Sequence, residues 1–224
     1  KFLNSGQTCV APDYLVAHKS IKGTLIKELI NRIEKTLGKQ LEKTDDFTAI
    51  VNEKNFNRLV GLINKNNLIY GGKYDKDKRY ISPTIIDSPK MDEEIMKEEI
   101  FGPILPVLSF EKIEDIDNII NENPNPLALY VFSDNKKFNE IIINRYPFGG
   151  GAINDTIVHL ANSRLPFGGI GSSGIGSYHG KASFELFSHK KSVVKRSTWF
   201  DNNLRYAPYK NKLSLVRKIM KYLG

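Results

Sequence analysis

Apolar residues recur along this chain at two spacings, and the two spacings alternate. Short apolar runs typical of buried strands occupy residues 13–18, 68–70, 104–110 and 127–132. Apolar positions that repeat every three or four residues predict amphipathic helices at residues 20–37, 53–64, 113–121 and after Asp134. Alternating strands and helices form parallel βαβ units, so the sequence predicts an α/β fold, a layered domain around a parallel sheet.

Capping and breaking residues locate the ends of several of these elements. Ser20 and Asp134 are candidate N-caps for the helices that follow them. Gly38 is predicted to end the first helix, because glycine is common just past a helix C-terminus. Pro83 interrupts a further apolar run at 80–86, so we expect that strand to lie at a sheet edge or to contain a bulge.

The composition is that of an ordinary globular chain. Of 224 residues, 40% are hydrophobic and 26% charged. No apolar stretch approaches the roughly 20 residues of a membrane span, and residues 1–3 show no signal-peptide pattern. The single cysteine excludes an internal disulfide. A cytoplasmic location is expected from this cysteine usage.

The positive charge is concentrated in the last 39 residues. The net charge is +8, of which residues 186–224, here called the basic tail, contribute +9 and residues 1–185 contribute −1. The tail contains a predicted strand at 191–195 and an amphipathic helix with Leu213, Val216, Ile219, Met220 and Leu223 on its apolar face. It lacks the interleaved aromatic residues of a nucleic-acid platform, so no nucleic-acid partner is expected.

Cys9 is the most promising candidate for chemistry. A lone cysteine is often a small buried hydrophobe. Here Gly6 belongs to a loop of small residues before the cysteine, and an apolar run begins at Val10. Such a loop lets backbone N–H groups approach a thiol and lower its pKa. From the residues alone, a structural cysteine and a reactive thiol both remain open.

Three motifs, in order, resemble those of the aldehyde dehydrogenase family. They are FLNSGQTC at 2–9, EEIFGP at 98–103, and a glycine-rich segment running from LPFGG at 165–169 to SYHG at 177–180. The last segment continues into SFE and FSHK within 183–190, and there it is most similar to the class 3, fatty-aldehyde type. Three matches of this length in the family's order are very unlikely to arise by accident. The resemblance extends over nearly the whole chain.

The resemblance implies roles for three residues near the reaction centre. Cys9 would be the nucleophile, forming a thiohemiacetal and then a thioester, with its own backbone N–H as an oxyanion donor. Glu99 would accept hydrogen bonds from the nicotinamide ribose, for which a carboxylate is suited. Phe101 would pack beside the nicotinamide. The implied cofactor is NAD or NADP.

The resemblance also implies a substrate pocket and a way of assembly. Asn154 and Phe167 would line the pocket for a small-molecule aldehyde, with His179 as a further member. His159 lies nearby in sequence and is interpreted as a structural histidine. No His, Cys, Asp and Glu spacing is that of a zinc site, so no metal is expected. The strand at 191–195 would pair across the interface of a homodimer.

The resemblance predicts two regions in this chain. Residues 1–185 would be the catalytic domain, and residues 186–224 the oligomerisation strand and tail. The family's dinucleotide-binding domain, its general-base glutamate and an oxyanion-binding asparagine normally precede the cysteine, and no matching motifs occur here. The chain is therefore expected to be inactive by itself.

One further motif has to be weighed against its context. Residues 169–174 match G-x-G-x-x-G, the pattern of a dinucleotide-binding loop. That loop must follow a buried strand and open a helix, with an acid about 20 residues later. Residues 163–166 do not form such a strand, and Glu185 comes too soon. These glycines are predicted instead to shape the pocket near Cys9.

Three functions remain as hypotheses. The first is the catalytic domain of an NAD(P)+-dependent aldehyde dehydrogenase. The second is an inactive truncated fragment that keeps only the fold and a dimerisation surface. The third is a weak contact between the basic tail and a membrane surface or another anionic partner.

Overall fold

The chain folds into two compact units, Lys1–Phe187 and Ser188–Gly224. The computed structural model describes residues 1–38, 47–63, 67–201, 203–210 and 212–223. The catalytic role assigned to residues 1–185 and the oligomerisation role assigned to residues 186–224 stay predictions.

The first unit alternates strands and helices. Its elements are β1 (Leu15–His18), α1 (Lys19–Leu37), α2 (Glu53–Leu62), β2 (Leu68–Tyr70), β3 (Tyr74–Asp75), β4 (Tyr80–Ile81), β5 (Thr84–Asp87), α3 (Glu94–Lys97), β6 (Ile104–Phe110), α4 (Ile113–Glu122), β7 (Ala128–Val131), α5 (Lys136–Arg145), β8 (Gly150–Ile153), α6 (Val158–Ala161) and α7 (Gly180–Leu186). Two 3₁₀ turns, Leu3–Gly6 and Gly171–Ser173, belong to this unit.

The main sheet has four strands in the order β1-β6-β5-β2. Strand β6 pairs in parallel with β1 and β5, whereas β2 is antiparallel to β5. Strands β7 and β8 form a second, parallel pair, and β3 and β4 an antiparallel one. The predicted α/β fold with a mostly parallel sheet is thus confirmed.

Helices cover both faces of the main sheet. Along β6, Ile104 and Leu108 pack in the cluster that contains Phe56 and Leu59 of α2. The alternate residues of β6 pack in a second cluster with α1, whose buried members are Ile26, Ile33, Tyr80, Ile85, Leu105 and Val107. This alternation is why β6 reads as a continuous apolar run, since a strand buried on both faces needs apolar residues at every position.

Two predicted N-caps are wrong by one or two residues. His18, not Ser20, caps α1, because β1 runs directly into the helix and the His18 ring accepts the Ser20 N–H at 3.3 Å. Asn135, not Asp134, caps α5 and accepts the Phe138 N–H at 3.1 Å. Gly38 ends α1 with φ of 80°, as predicted.

Pro83 separates two strands, β4 and β5, instead of interrupting one. The expectation of an edge strand is wrong, because β5 lies between β6 and β2. Proline is tolerated there because it precedes the first residue of β5 and removes no hydrogen bond from the strand ladder. The register between β2 and β5 does shift between Leu68 and Tyr70. Helix α2 starts at Glu53 as predicted, and its predicted end at Asn64 lies outside the described residues.

The second unit contains a 3₁₀ turn, Asn203–Arg205, and α8 (Leu213–Leu223), which confirms the predicted terminal helix. The predicted strand at 191–195 is not formed. The physical reason is that a strand needs a neighbour for its backbone groups, and this one was assigned to pair with another subunit. Among the described residues, no helix is long and apolar enough to cross a membrane.

Candidate functional site

The loop before Cys9 has an unusual backbone. Asn4, Ser5 and Gly6 have φ angles of 51°, 53° and 72°, so three consecutive residues are left-handed. Such a conformation is rare outside glycine and asparagine. A Cβ added to Gly6 would lie 2.2 Å from the Gly102 carbonyl oxygen. Glycine is therefore required here, and the close approach brings the loop against the segment at 98–103.

Side-chain hydrogen bonds hold this loop from the segment before α2. The Ser5 hydroxyl donates to the Thr48 carbonyl. The Gln7 amide donates to the Ala49 carbonyl at 3.1 Å and accepts the Val51 N–H at 2.8 Å. The strained backbone is thus fixed by contacts more than 40 residues away in sequence.

Cys9 lies at the tip of this loop with its thiol exposed. The Ala11 N–H donates to the Thr8 carbonyl at 2.9 Å, so Cys9 and Val10 are the central residues of a turn. Val10 is fully buried, which anchors the turn beside the exposed thiol. In the described part of the chain, no backbone hydrogen bond uses the Cys9 N–H. That donor is available to a ligand.

The 98–103 loop presents Glu99 and Phe101 on either side of buried Ile100. The Glu99 side chain is exposed, and no described residue forms a hydrogen bond or ion pair with its carboxylate. Partial burial and the nearby Asp13 charge raise the pKa of Glu99, while Lys1 and Arg58 oppose them. Phe101 has φ of 48°, a left-handed conformation that a bulky residue rarely adopts.

Two charged side chains hold the main chain of this loop. Arg58 of α2 donates to the Ile100 carbonyl at 2.6 Å and to the Glu99 carbonyl at 3.4 Å. The Asp13 carboxylate accepts the Ile100 N–H at 3.0 Å. Lys1 Nζ lies 3.5 Å from Asp13, which offsets the rise that burial causes in the pKa of that carboxyl. No sequence motif marks Arg58 or Asp13.

Phe167 lies at the centre of an aromatic cluster. It is 8% exposed and exchanges two backbone hydrogen bonds with Tyr178, at 2.8 and 2.9 Å. Its ring stacks on His179 at 5.9 Å, meets the Tyr178 ring edge-on at 5.6 Å and lies 6.1 Å from the His159 ring. We define the aromatic cluster as Tyr130, His159, Phe167, Tyr178 and His179.

Tyr130 of β7 joins this cluster to the turn at Cys9. Its hydroxyl donates to the Val10 carbonyl at 2.8 Å, and its ring lies 5.7 Å from that of His159. Burial raises the pKa of Tyr130, a hydrogen bond with the backbone of Ile157 opposes the rise, and the nearby Cys9 adds to it. The structure thus connects Cys9 with Phe167 and His179 through Tyr130, a residue that no sequence motif marks.

The two histidines of the cluster contain buried nitrogen atoms without hydrogen-bond partners among the described residues. They are both ring nitrogens of His159 and Nδ1 of His179. His159 is 6% exposed, and burial lowers its pKa. A neutral, buried imidazole packed against Gly150 and aromatic rings behaves as a wall residue. The sequence signal was its proximity to Phe167, which alone could not show its burial.

Asn154 is bound to a different part of the unit. Its amide accepts the Ser133 N–H at 2.9 Å and donates to the Ser133 carbonyl at 3.3 Å. Its φ of 58° is left-handed, which asparagine tolerates. The side chain therefore holds the loop after β7, and its assignment to the substrate pocket stays a prediction.

The G-x-G-x-x-G segment has no dinucleotide-binding geometry. Residues 171–173 form a single 3₁₀ turn, and Phe167 makes only an isolated bridge before it. A Cβ on Gly169 would lie 2.2 Å from the Ser173 carbonyl oxygen, so this glycine permits a tight turn. No group of three or more His, Cys, Asp or Glu that could hold a metal occurs within the described residues.

Comparison with known proteins places these features in a family. The profile of the aldehyde dehydrogenase family matches residues 1–193. Over 223 residues, the chain is 45% identical to 4,4'-diaponeurosporen-aldehyde dehydrogenase of Staphylococcus aureus, covering 99% of this chain and 49% of that protein. It is 41% identical over 215 residues to the dimeric NADP-preferring aldehyde dehydrogenase of Mus musculus, covering 95% and 48%.

The fold comparison agrees. The substrate-bound state of Staphylococcus aureus AldH matches with a TM-score of 0.89 at 44% identity, covering 98% of this chain and 48% of that one. This chain therefore spans about half the length of these three relatives.

Proposed function

The chain belongs to the aldehyde dehydrogenase family, and we propose on this premise that it carries the nucleophile and the catalytic-domain walls for NAD(P)+-dependent oxidation of an aldehyde to a carboxylic acid. The observation that supports this most is the exposed Cys9 thiol on a turn anchored by buried Val10. A structural cysteine would be expected inside the core.

In the proposed mechanism, Cys9 acts as a covalent nucleophile. Its thiolate forms a bond to the carbonyl carbon, and the carbonyl π electrons move to the oxygen. The Cys9 N–H, which makes no backbone hydrogen bond in the described part of the chain, is the donor for that oxyanion. When the hydride has left, the oxygen lone pair restores the carbonyl as a thioester on Cys9. Water then adds to the thioester, the carbon–sulfur bond breaks, and the acid leaves with Cys9 restored.

The residues of the 98–103 loop fit a nicotinamide dinucleotide. The free, exposed Glu99 carboxylate can accept two hydrogen bonds from a ribose diol. Phe101, two residues later in the same loop, has a rare left-handed conformation, and its ring is proposed to pack beside the nicotinamide. When bound, NAD or NADP supplies the hydride acceptor. The rest of its binding surface is proposed to lie outside these residues, as the resemblance implies.

The aromatic cluster is proposed as the apolar wall on the substrate side. Phe167 and His179 belong to it, and Asn154 shapes the loop after β7. Its apolar surface suits an aldehyde with a hydrocarbon group, which leaves the carbonyl as the polar end. In this proposal the enzyme is a cytoplasmic homodimer, supported by its single free cysteine and by a dimeric relative.

Alkylation of Cys9 tests the assignment of the nucleophile. In the folded chain, iodoacetamide at neutral pH should modify Cys9, as measured by mass spectrometry, because the thiol is exposed. Modification only after unfolding would contradict the proposal and favour a structural cysteine.

The 224-residue chain by itself is proposed to be inactive with aldehydes. With NAD+ and hexanal, it should form no NADH, whereas p-nitrophenyl acetate should acylate Cys9 because that step needs no cofactor. NADH formation that scales with the chain and disappears in Cys9→Ala would contradict this. Failure of Cys9 to acylate would instead favour a fragment that keeps only the fold and dimerisation surface.

We also propose a second, weaker interaction, between the basic tail and an anionic membrane surface. Leu213, Ile219 and Met220 of α8 are exposed, and residues 202–224 contain no acidic residue. A basic amphipathic helix of this kind binds anionic lipid. Phosphatidylglycerol vesicles should sediment the protein in a salt-sensitive way, and the triple variant R217E/K218E/K221E should stay in solution. Equal binding to phosphatidylcholine vesicles would contradict an electrostatic contact.

A further inference from the structure

The main chain around Glu99 is held by side chains from two other segments. Ile100 donates its N–H to Asp13 at 3.0 Å, and Arg58 donates to its carbonyl at 2.6 Å. Both backbone groups of the residue between Glu99 and Phe101 are therefore paired with charged side chains. Charge-assisted hydrogen bonds are roughly twice as strong as neutral ones. These bonds hold the two peptide groups that flank the Cα of Ile100.

The backbone conformation of Phe101 explains why the residue before it is held so firmly. A left-handed aromatic residue is strained by about 1–3 kcal/mol and persists only where its surroundings impose the conformation. The residue before it is held by Asp13 and Arg58. On the other side, a Cβ on Gly102 would lie 2.5 Å from Leu59, the neighbour of Arg58 in α2. The conformation of Phe101 is thus imposed from both sides.

Asp13 and Arg58 also connect the two functional loops. Asp13 follows the turn at Cys9 by four residues and lies just before β1. Arg58 comes from α2, which packs on the sheet through Phe56 and Leu59. Loop 98–103 is therefore held at once by the nucleophile's own segment and by a core helix. Reacting groups held in a fixed geometry gain much of their rate from that positioning.

We propose that Asp13 and Arg58 are positioning residues that keep Glu99 and Phe101 in register with Cys9. The inference rests on the proposed role of Glu99 toward the nicotinamide ribose and deepens it. Neither residue is proposed to touch substrate or cofactor. They act through the backbone N–H and carbonyl of Ile100, and loss of either would let the loop move without removing a ligand group.

The first test is made without any dinucleotide. In the D13A variant, the peptide covering 98–103 should exchange its amide hydrogens faster than in the wild type, as measured by mass spectrometry. D13N keeps one oxygen that can accept the Ile100 N–H, so it should restore most of the protection. Unchanged exchange in D13A would overturn the inference. The alkylation rate of Cys9 serves as a check that the nucleophile loop remains folded.

The second test uses the active protein that contains these residues. Lysine lacks the planar guanidinium group with which Arg58 donates to two carbonyls. In the R58K variant, kcat/KM for NAD+ should therefore fall by about 10- to 100-fold. R32K, on the exposed face of α1, is the matched control and should leave kcat/KM unchanged. A value for R58K equal to that for R32K would overturn the inference.

A double-mutant cycle separates this inference from the function on which it rests. If Arg58 acts through Glu99, the E99Q/R58K variant should be little worse than the weaker of the two single variants. Fully additive losses would overturn the positioning role while the ribose assignment of Glu99 stands. If E99Q alone keeps wild-type kinetics, the assignment of Glu99 itself fails, and the positioning proposal fails with it.

Discussion

The two sides of the Cys9 turn are held by opposite means. Loop 98–103 is fixed by charged side chains that bind its backbone, with Glu99 left exposed. The aromatic cluster is fixed by ring packing around Phe167, and its buried histidine nitrogens have no hydrogen-bond partner in the described part of the chain. We call Asp13 and Arg58 the polar clamp, and their hydrogen bonds fix the orientation of loop 98–103. Ring packing instead fixes the shape of the aromatic cluster and excludes water. Damage to the first should therefore reduce activity more than stability, and damage to the second should reduce both.

Removal of the residue that both sides flank should have the largest effect. In the active protein, C9A should lower kcat with an aldehyde by at least about 10⁴-fold, because no other group can form the covalent intermediate. Since Cys9 is exposed, the urea midpoint should hardly change. A C9A variant that keeps appreciable dehydrogenase activity would show that neither side is arranged around this thiol.

On the side of loop 98–103, substitution of Glu99 should reduce activity more than stability. E99Q removes a charge and should lower kcat/KM for NAD+ by about 10- to 100-fold, since hydrogen bonds to charged groups contribute about 1.5–3 kcal/mol. Iodoacetamide should still modify Cys9 at the wild-type rate. E98Q, a substitution of the exposed neighbour, is the matched control. Equal kinetics for the two variants would remove the ribose assignment.

On the side of the aromatic cluster, substitution of Tyr130 should reduce stability as well as activity. Y130F removes the donor to the Val10 carbonyl and leaves a buried acceptor unpaired, so the free energy of unfolding should fall by about 1–3 kcal/mol. Cys9 alkylation should also change, because the turn loses its anchor. Tyr209 is 63% exposed, and Y209F is the control for loss of a hydroxyl. Urea unfolding that fails to separate the two variants would mean that Tyr130 only fills space.

Local pattern predicted much of the sheet but little of its support. Strand β6 has its predicted bounds and α4 ends one residue later than predicted, because burial on one or two faces leaves a periodic trace in sequence. The two N-caps moved because a cap depends on the path of the preceding chain. The strand at 191–195 is not formed within this chain, and its pairing with another subunit stays a prediction.

The same distinction applies to the site. Cys9, Glu99 and Phe167 lie in contiguous motifs and were therefore identified as candidates from the sequence. Asp13 and Tyr130 act across separations of 87 and 120 residues, to Ile100 and Val10. Neither has a neighbouring residue that marks its role. One sequence without its fold contains no information on such pairs, and they are the contacts that join the two sides to the Cys9 turn.

His159 gives the smallest expected effect and the sharpest test of the packed side. Burial lowers its pKa below the ordinary 6.5, so the folded protein holds the imidazole neutral. Below about pH 6.5 the unfolded chain binds a proton that the folded chain does not, and stability falls as pH falls. H159F should remove this contribution and flatten the dependence, whereas H189F, at an exposed position, should keep it. Urea unfolding at about pH 7.5 and about pH 5.5 measures the difference.

Since other groups titrate in the same range, the comparison is made between variants at each pH. A slope unchanged in H159F would mean that His159 is protonated in the fold as readily as in the unfolded chain. The aromatic cluster would then be a hydrated region, and the contrast with the polar clamp would no longer hold.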